Sequence, residues 1–422
     1  MLTRRQFLGR SAAIVSVGLV TGPTVFERAL RHASVATAGM PADDRVLVVV
    51  QLAGGNDGLN TVVPYSDSRY RDVRRDIAVP EGQGHILDSR VALHPNMGWF
   101  KEMWDRGSLA IVESVGYPNH NRSHFESTAV WQTADPTVTA EGWLGRSLRG
   151  VVDDEGHPFS AVAVSDLTPQ AFVADGVAIP SFSRIEQYRI APGPGRYDPS
   201  TALVQLYEQY PPNAPYAALL DSTMHEVYKS TTALQQLHTA YQPAVTYPEE
   251  SLASGLRVLA ETISAQVGMR IGYVSIGGFD THDSQLIGQP PLLARLDAGL
   301  RAFFADLEAH GQSDRVVTLI WTEFGRRVKQ NASGGTDHGK GNALFVAGAP
   351  VKGGFYGSPT DLGALDDGDI AVRTDFRSVY ATVLGDWMGI DPAQTLGSSY
   401  PTLGLVGAAT GVAAGASANP FR

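Results

Sequence analysis

Runs of consecutive apolar residues recur along the chain and alternate with stretches of helical periodicity. "DRVLVVVQL" (44–52), "LAIVESVG" (109–116), "FSAVAVS" (159–165), "MRIGYVSI" (269–276), "DRVVTLIWT" (314–322) and "NALFVAG" (342–348) each read as a strand buried on both faces. Between them, "NMGWFKEMWDRGS" sets Met97, Phe100, Met103 and Trp104 at helical spacing. "RSHFESTAVWQTA" predicts a helix with Phe125, Ala129 and Trp131 on its core face, and "PPLLARLDAGLRAFFADLEAHG" a long amphipathic helix. "TDFRSVYATVLGDWMG" predicts a late helix with Asp375 in its first turn and the Thr374 hydroxyl as its cap. Apolar strands alternating with helices predict an α/β fold: a mostly parallel central sheet with helices on both faces. Residues 183–215 are rich in Pro, Gly and Tyr, and 216–268 hold two helical patterns split at "YQPAVTYPEE". Together, about 183–268 read as a loop-rich and helical insertion in a single domain spanning 39–422. No internal repeat is visible.

The N-terminus changes the compartment. "TRRQFLGRSAAIVSVGLVTG" places Arg4 and Arg5 before Phe7 and Leu8, then a short, Gly-interrupted apolar run, and resembles a twin-arginine export signal. "ATAG" offers cleavage after Ala38, so residues 1–38 are expected to be a signal peptide handed to the twin-arginine translocase. The mature chain is then expected to be periplasmic or extracellular, with no stable membrane span. Loss of residues 1–38 removes five arginines and one glutamate and leaves 28 basic and 42 acidic residues, net −14. That balance argues against nucleic-acid binding. Cysteine is absent, so disulfides, thiolate metal sites and a Cys nucleophile are excluded. Any metal must be held by oxygen and imidazole ligands.

In a parallel sheet, ligands bind beyond the carboxyl ends of the strands. Asn56 and Asp57 follow the first strand, Asp280 and His282 follow "YVSIGG", and Glu323 follows "VVTLIWT". Asp337 and His338 stand in "GGTDHGKG", shortly before "NALFVAG". Carboxylates gathered on one rim repel one another, and one or two divalent cations would relieve the conflict. Sulfur-free ligands suit Zn, Mn, Mg or Ca. The glycine pairs 54–55 and 277–278 let the backbone turn sharply toward such a cleft. Each residue also has a plain structural role open to it. Asp57 and Asp280 are ordinary helix caps or turn formers, and Glu323 can pair with Arg326 or Arg327.

"HNRSHFES" adds a candidate catalytic group of Ser123 with Arg122 and His124. Ser123 at a helix N-terminus suits a nucleophile, and Arg122 suits phosphate or sulfate oxygens. The competing reading is a capping box, with Ser123 as N-cap and Glu126 three residues on. Gly334 to Lys340 matches the start of a phosphate-binding loop but precedes a strand, and is set aside.

With these residues assembled, the chain resembles the DUF1501 family of exported bacterial proteins. The resemblance rests on "QLAGGNDGLNTVVPY", "LHPNM", "VGYPNHNRSHFES", "GWLGR", "GGFDTH", "WTEFGRR", "GGTDHG" and "TDFRSVYATVLGDW", in order from about 45 to 390. The family is grouped with the alkaline phosphatase-like superfamily, whose members include sulfatases and phosphomutases. The resemblance implies metal ligands at Asp57, Asp280, His282, Glu323 and His338 with Asp337, and a nucleophile at Ser123. Two departures stand out: the Asp/His pair is closer than is usual there, and Glu323-Phe324 replaces a frequent Asp-His. The expected function is a metal-dependent hydrolase of phosphate or sulfate esters, attacking through Ser123 or a metal-bound water. Its expected partner is an anionic ester small molecule or polysaccharide. A non-catalytic exported metal- or glycan-binding protein on the same fold is the alternative.

Overall fold

The computed structural model of the chain describes residues 45–149, 159–175, 177, 179–185 and 233–407. The signal peptide expected at 1–38, residues 186–232 of the expected insertion and the C-terminal tail lie outside the described residues. Among the described residues nine strands form the main sheet: β1 (Val46–Leu52), β2 (Leu109–Gly116), β3 (Ala161–Val164), β4 (Ser181–Phe182), β5 (Ile271–Ile276), β6 (Val316–Trp321), β7 (Asn342–Ala347), β8 (Gly354–Gly357) and β9 (Thr374–Asp375). Their order is β8-β2-β7-β6-β1-β5-β3-β4, with β9 also on β2. All six strands expected from the apolar runs are present. The additions are the short strands β4, β8 and β9, which lack a long apolar run.

Every pairing in the sheet is parallel except those of β7, which runs against both β6 and β2. This reversal positions the site. The carboxyl ends of β1, β2, β5 and β6 share one edge, and β7 starts at that edge. The loop before β7, with Asp337 and His338, therefore joins the loops that leave the other four strands.

β1 is central because it is apolar on both sides. Val46, Val48 and Val50 face one layer; Leu47 and Val49 face the other, and all are at most 1 % exposed. On the first face lie α2 (Gly98–Asp105), α4 (Ser251–Ser264) and α5 (Gln285–Ala309). α4, which falls in the expected insertion, buries Leu252, Leu256, Leu259 and Ile263 in this layer. On the second face lie α3 (His124–Thr133) and α6 (Phe376–Thr382), with Trp131 stacked between Trp321 and Phe376. Each fully buried Leu, Val or Phe contributes about 1.5–3 kcal/mol, so these layers are where the stability lies.

Three local expectations need correction. Phe125 is 90 % exposed, and the buried side of α3 is Ser127, Val130 and Trp131. α5 begins at Gln285, ahead of Pro290 and Pro291, because the Gln285 and Gln289 amides bond to Asp57 and Asn56 and anchor an extra turn. Asp375, not Thr374, caps α6: it accepts from the Arg377 N–H, while the Thr374 hydroxyl donates to the Glu113 carbonyl.

One buried group makes stability depend on pH. His94 follows a short strand of the small antiparallel sheet (Val62–Val63, His85–Ile86, Ala92–Leu93), and its Nδ1 accepts from the Asn96 N–H at 3.1 Å. That bond requires the neutral ring. Burial, with His85 nearby, pushes its pKa from 6.5 down to about 4. The folded state then binds fewer protons than the unfolded state between these values. Its contribution is complete above pH 6.5 and declines as pH falls toward about 4, by up to about 3 kcal/mol. Denaturant titrations across this range are expected to show the decline, and His94→Gln to flatten it. An equally steep slope in the variant would assign the effect to another group.

Candidate active site at the carboxyl edge

Arg326, five residues beyond Trp321 at the end of β6, is fully buried and ties the edge loops together. Its Nε donates to the Gly55 carbonyl at 2.6 Å and its Nη1 to the Thr336 carbonyl at 2.8 Å. Its Nη2 reaches the Gly54 carbonyl, the Phe279 carbonyl at 3.2 Å and Asp280 Oδ1 at 2.6 Å. One guanidinium thus fastens the turns after β1 and β5 and the loop before β7. The turns nest closely. Gly54 has φ +116°, and a Cβ there would meet the Asp280 backbone nitrogen at 2.5 Å, so no other residue fits.

Around Asp280, three imidazoles converge. His282 Nε2 lies 2.9 Å from Asp280 Oδ1, His338 Nε2 3.1 Å and His124 Nε2 3.3 Å. His282 Nε2 and His338 Nε2 face each other at 2.9 Å. The donor atoms of His124, Asp280 and His338 all fall within 4.8 Å of one another. His124 opens α3, His282 follows β5 and His338 precedes β7, so three separate loops meet here.

The other ring nitrogen of each histidine is already engaged by an oxygen. His338 Nδ1 faces the Arg122 carbonyl at 2.8 Å, which can only accept, so that nitrogen carries the proton. His124 Nδ1 faces Glu323 Oε1 at 2.7 Å, and His282 Nδ1 faces Asp337 Oδ1 at 3.3 Å. In their neutral forms His282 and His338 therefore aim Nε2 lone pairs at each other, and all three rings aim one at Asp280 Oδ1. Acceptors facing acceptors at 2.9 Å require a shared proton or a cation. His124 Nε2 is buried, and its 3.3 Å approach to Asp280 Oδ1 is not aligned as a hydrogen bond.

The protons respond to this crowding. The Glu323 hydrogen bond raises the His124 pKa despite its burial, whereas burial lowers that of His338. Burial opposes ionisation of Asp280, but the hydrogen bond and charge of Arg326 hold it well below the usual carboxylate range. A hydrogen bond from Asn331 likewise lowers Asp337.

The remaining expected residues are placed as follows. Glu323 is buried and lies behind His124, accepting also from the Gly54 N–H at 2.9 Å and the Thr322 hydroxyl at 3.1 Å. It orients the ring and does not enter the centre. Asp337 does the same for His282. Asp57 is not in the cluster. It caps α1 (Gly58–Thr61), pairs with buried Arg74 at 2.5 Å and accepts from Gln285. Asn56 bonds to Thr61 and Gln289. Arg122 is paired with buried Asp369 and with Asp367 at 3.4 Å. The donors that lie mutually within 4.8 Å are thus His124, Asp280 and His338, with His282 against Asp280 and His338.

Ser123 occupies the N-cap position of α3, yet its hydroxyl makes no cap hydrogen bond. Glu126 is bonded to Asn121 instead, so the capping box does not form. The sequence offers Arg326 only as a partner for Glu323, not as the clamp, and Arg122 as a ligand for phosphate or sulfate oxygens. The signal for the Arg326 clamp is the "GRR" that directly follows Glu323-Phe324.

No curated protein matches the chain. Among solved structures it is similar to Ps i-CgsB in complex with k-i-k-neocarrahexaose, at 10% identity and TM-score 0.37, over 84% of this chain and 73% of that one. It is similar to the PsFucS1 sulfatase from Pseudoalteromonas sp. at 10% identity and TM-score 0.33, over 90% and 73%. It is also similar to the lipoteichoic acid synthase LtaP from Listeria monocytogenes at 11% identity and TM-score 0.33, over 90% and 78%. The profile described as "Protein of unknown function (DUF1501)" matches residues 94–400, which span the three histidines, Asp280 and the clamp, and the chain belongs to this family.

Proposed function

We propose that this chain is an exported, metal-dependent hydrolase of phosphate or sulfate esters working at a single cation. The observation that carries the reading is the meeting of three imidazole Nε2 atoms on Asp280 Oδ1, at 2.9, 3.1 and 3.3 Å. His124, His282, His338 and Asp280 would hold the ion. A donor set of three nitrogens and one oxygen favours zinc or manganese over magnesium or calcium. Such an ion supplies a positive charge that polarises an ester oxygen.

The chain's own residues supply the rest. Glu323, Asp337 and the Arg122 carbonyl hold the rings with Nε2 inward, the usual outer-shell arrangement for metal-bound histidine. Ser123 is adjacent to His124 and its hydroxyl is not engaged in capping, which supports it as nucleophile; water is the other attacker. The "TRRQFLGR" start supports twin-arginine export, and the substrate is then an anionic ester small molecule or polysaccharide outside the cytoplasm. Among the described residues no helix is long and apolar enough to cross a membrane.

A second reading, a non-catalytic metal- or glycan-binding protein, is favoured by one specific feature. Arg122 and Asp57, both expected to serve an anion or a metal, are neutralised internally by Asp369 and Arg74.

Elemental analysis of protein purified without added metal is expected to find about one zinc or manganese per chain. His338→Ala is expected to lose it. The native protein is expected to hydrolyse 4-nitrophenyl phosphate or sulfate, and chelation to stop it. Ser123→Ala abolishes turnover if the serine attacks and leaves it if water does. Metal without turnover on a broad ester panel selects the binding reading. No metal, with His338→Ala indistinguishable from the parent, removes both.

The ring-orienting role predicts a separate result. Glu323→Gln keeps the side-chain shape but weakens the acceptor for His124 Nδ1–H, and is expected to lower metal affinity about 10- to 100-fold. Competition with a chromogenic chelator measures it. Unchanged affinity would mean that Glu323 does not orient the ligand.

A further inference from the structure

Three cations sit around His338 on a chain whose overall charge is −10. The Arg122 carbonyl accepts from His338 Nδ1, and the Arg327 N–H donates to the Asp337 carbonyl at 2.9 Å. Lys340 lies two residues beyond His338. All three side chains point to one short turn. Asp366 and Asp369 form an isolated antiparallel bridge, with Asp367 and Gly368 between them at φ 54° and 78°. Two left-handed residues in succession make a tight, two-residue hairpin tip, and Asp-Gly is a favoured pair for it.

The tip presents its carboxylates to the cations. Lys340 Nζ meets Asp366 Oδ2 at 2.8 Å. Asp367 Oδ2 lies 3.4 Å from Arg122 Nη2 and 3.8 Å from Arg327 Nη2. Asp369 Oδ2 pairs with Arg122, and Asp369 Oδ1 lies 3.4 Å from Arg327 Nη1. The two arginines therefore converge on the same two carboxylates, a spacing that suits one shared tetrahedral or planar anion.

The carboxylates differ in kind. The Asp369 side chain is fully buried and fixes the arginines from beneath. Those of Asp366 and Asp367 are 58 % and 72 % exposed, so their ion pairs are screened and weak. A solvent anion with more acceptor oxygens can replace them without disturbing Asp369.

We propose that Arg122, Arg327 and Lys340 form an anion subsite next to the histidine cluster, occupied in the free protein by the Asp366 and Asp367 carboxylates. The substrate is then a polyanion. One anionic ester group lies at the histidines, and a neighbouring sulfate, phosphate or carboxylate displaces the acidic tip. The location of the ester group rests on the hydrolase reading; the subsite itself does not.

Binding, read without turnover, tests this. A dextran sulfate oligosaccharide is titrated calorimetrically into the full chain, with inorganic sulfate as the single-anion comparison. Asp366→Asn with Asp367→Asn is expected to tighten the oligosaccharide about five- to tenfold, the effect of removing two exposed competing charges. Glu308→Gln with Asp314→Asn removes the same charge at the opposite, amino edge of the sheet and is expected to change affinity less than about twofold. Lys340→Glu, on an otherwise native background, is expected to weaken binding and to steepen no salt dependence. Equal tightening by both charge-removing pairs would reduce the effect to net charge and overturn the subsite. Unchanged binding in Asp366→Asn/Asp367→Asn, or in Lys340→Glu, would overturn it as well. Hydrolysis of 4-nitrophenyl sulfate, which carries one anion, reports on the histidine centre separately, so either idea can fail while the other stands.

Discussion

The buried guanidinium of Arg326 is the constraint on which the site depends. Parallel strands deliver loops to a common edge, but an edge of loops has no geometry of its own. Arg326 gives it one by donating to carbonyls after β1, after β5 and before β7, and to Asp280 itself. Hydrogen bonds from a charged donor are worth about 1.5–3 kcal/mol each, more than a neutral pair. A fully buried arginine without these acceptors would be strongly destabilising. The clamp and the loops therefore specify each other. Glycine at position 54 is part of the same arrangement, because the turn must pass within contact distance of the Asp280 backbone.

Asp280 is placed by this clamp, and the histidines are placed by oxygen acceptors behind them. The result is an unusual charge arrangement. Arg326 already balances Asp280, so a metal is not required to rescue an isolated carboxylate. The proposal of a cation rests instead on imidazole nitrogens meeting one another and one carboxylate oxygen. This shifts the expected chemistry from several oxygen ligands and one or two ions to a nitrogen-rich set for one. Asp57 illustrates the difference. It follows the first strand as a metal ligand would, but the α1 N-terminus, Arg74 and Gln285 consume its oxygens.

Much of the fold was legible because burial on both faces leaves continuous apolar runs, as in "VLVVV" and "VVTLIW". The meeting of Asp280, His282 and His338 was legible for the same reason: each stands within a few residues of a strand end. Other features were not, and each has a cause. The antiparallel direction of β7 leaves no trace in an apolar run, yet it is what carries His338 to the shared edge. Phe125 fits a helical core stripe by spacing and faces solvent because Val130 and Trp131 set the rotation of α3. The roles of Arg122, Arg326 and Asp57 depend on partners as far as 272 residues away, Gly54, Arg74 and Asp369 among them. Periodicity carries no information at that range.

The central claim is that three Nε2 atoms and one carboxylate oxygen surround a single metal ion. The most direct measurement is a crystal structure of the protein, purified without chelator, with diffraction recorded on both sides of the zinc or manganese absorption edge. The account predicts one anomalous peak about 2.0–2.2 Å from Nε2 of His124, His282 and His338, with Asp280 oxygen completing the set. A peak on Asp57, a pair of peaks, or histidines bridged only by protons with no peak among them would contradict it.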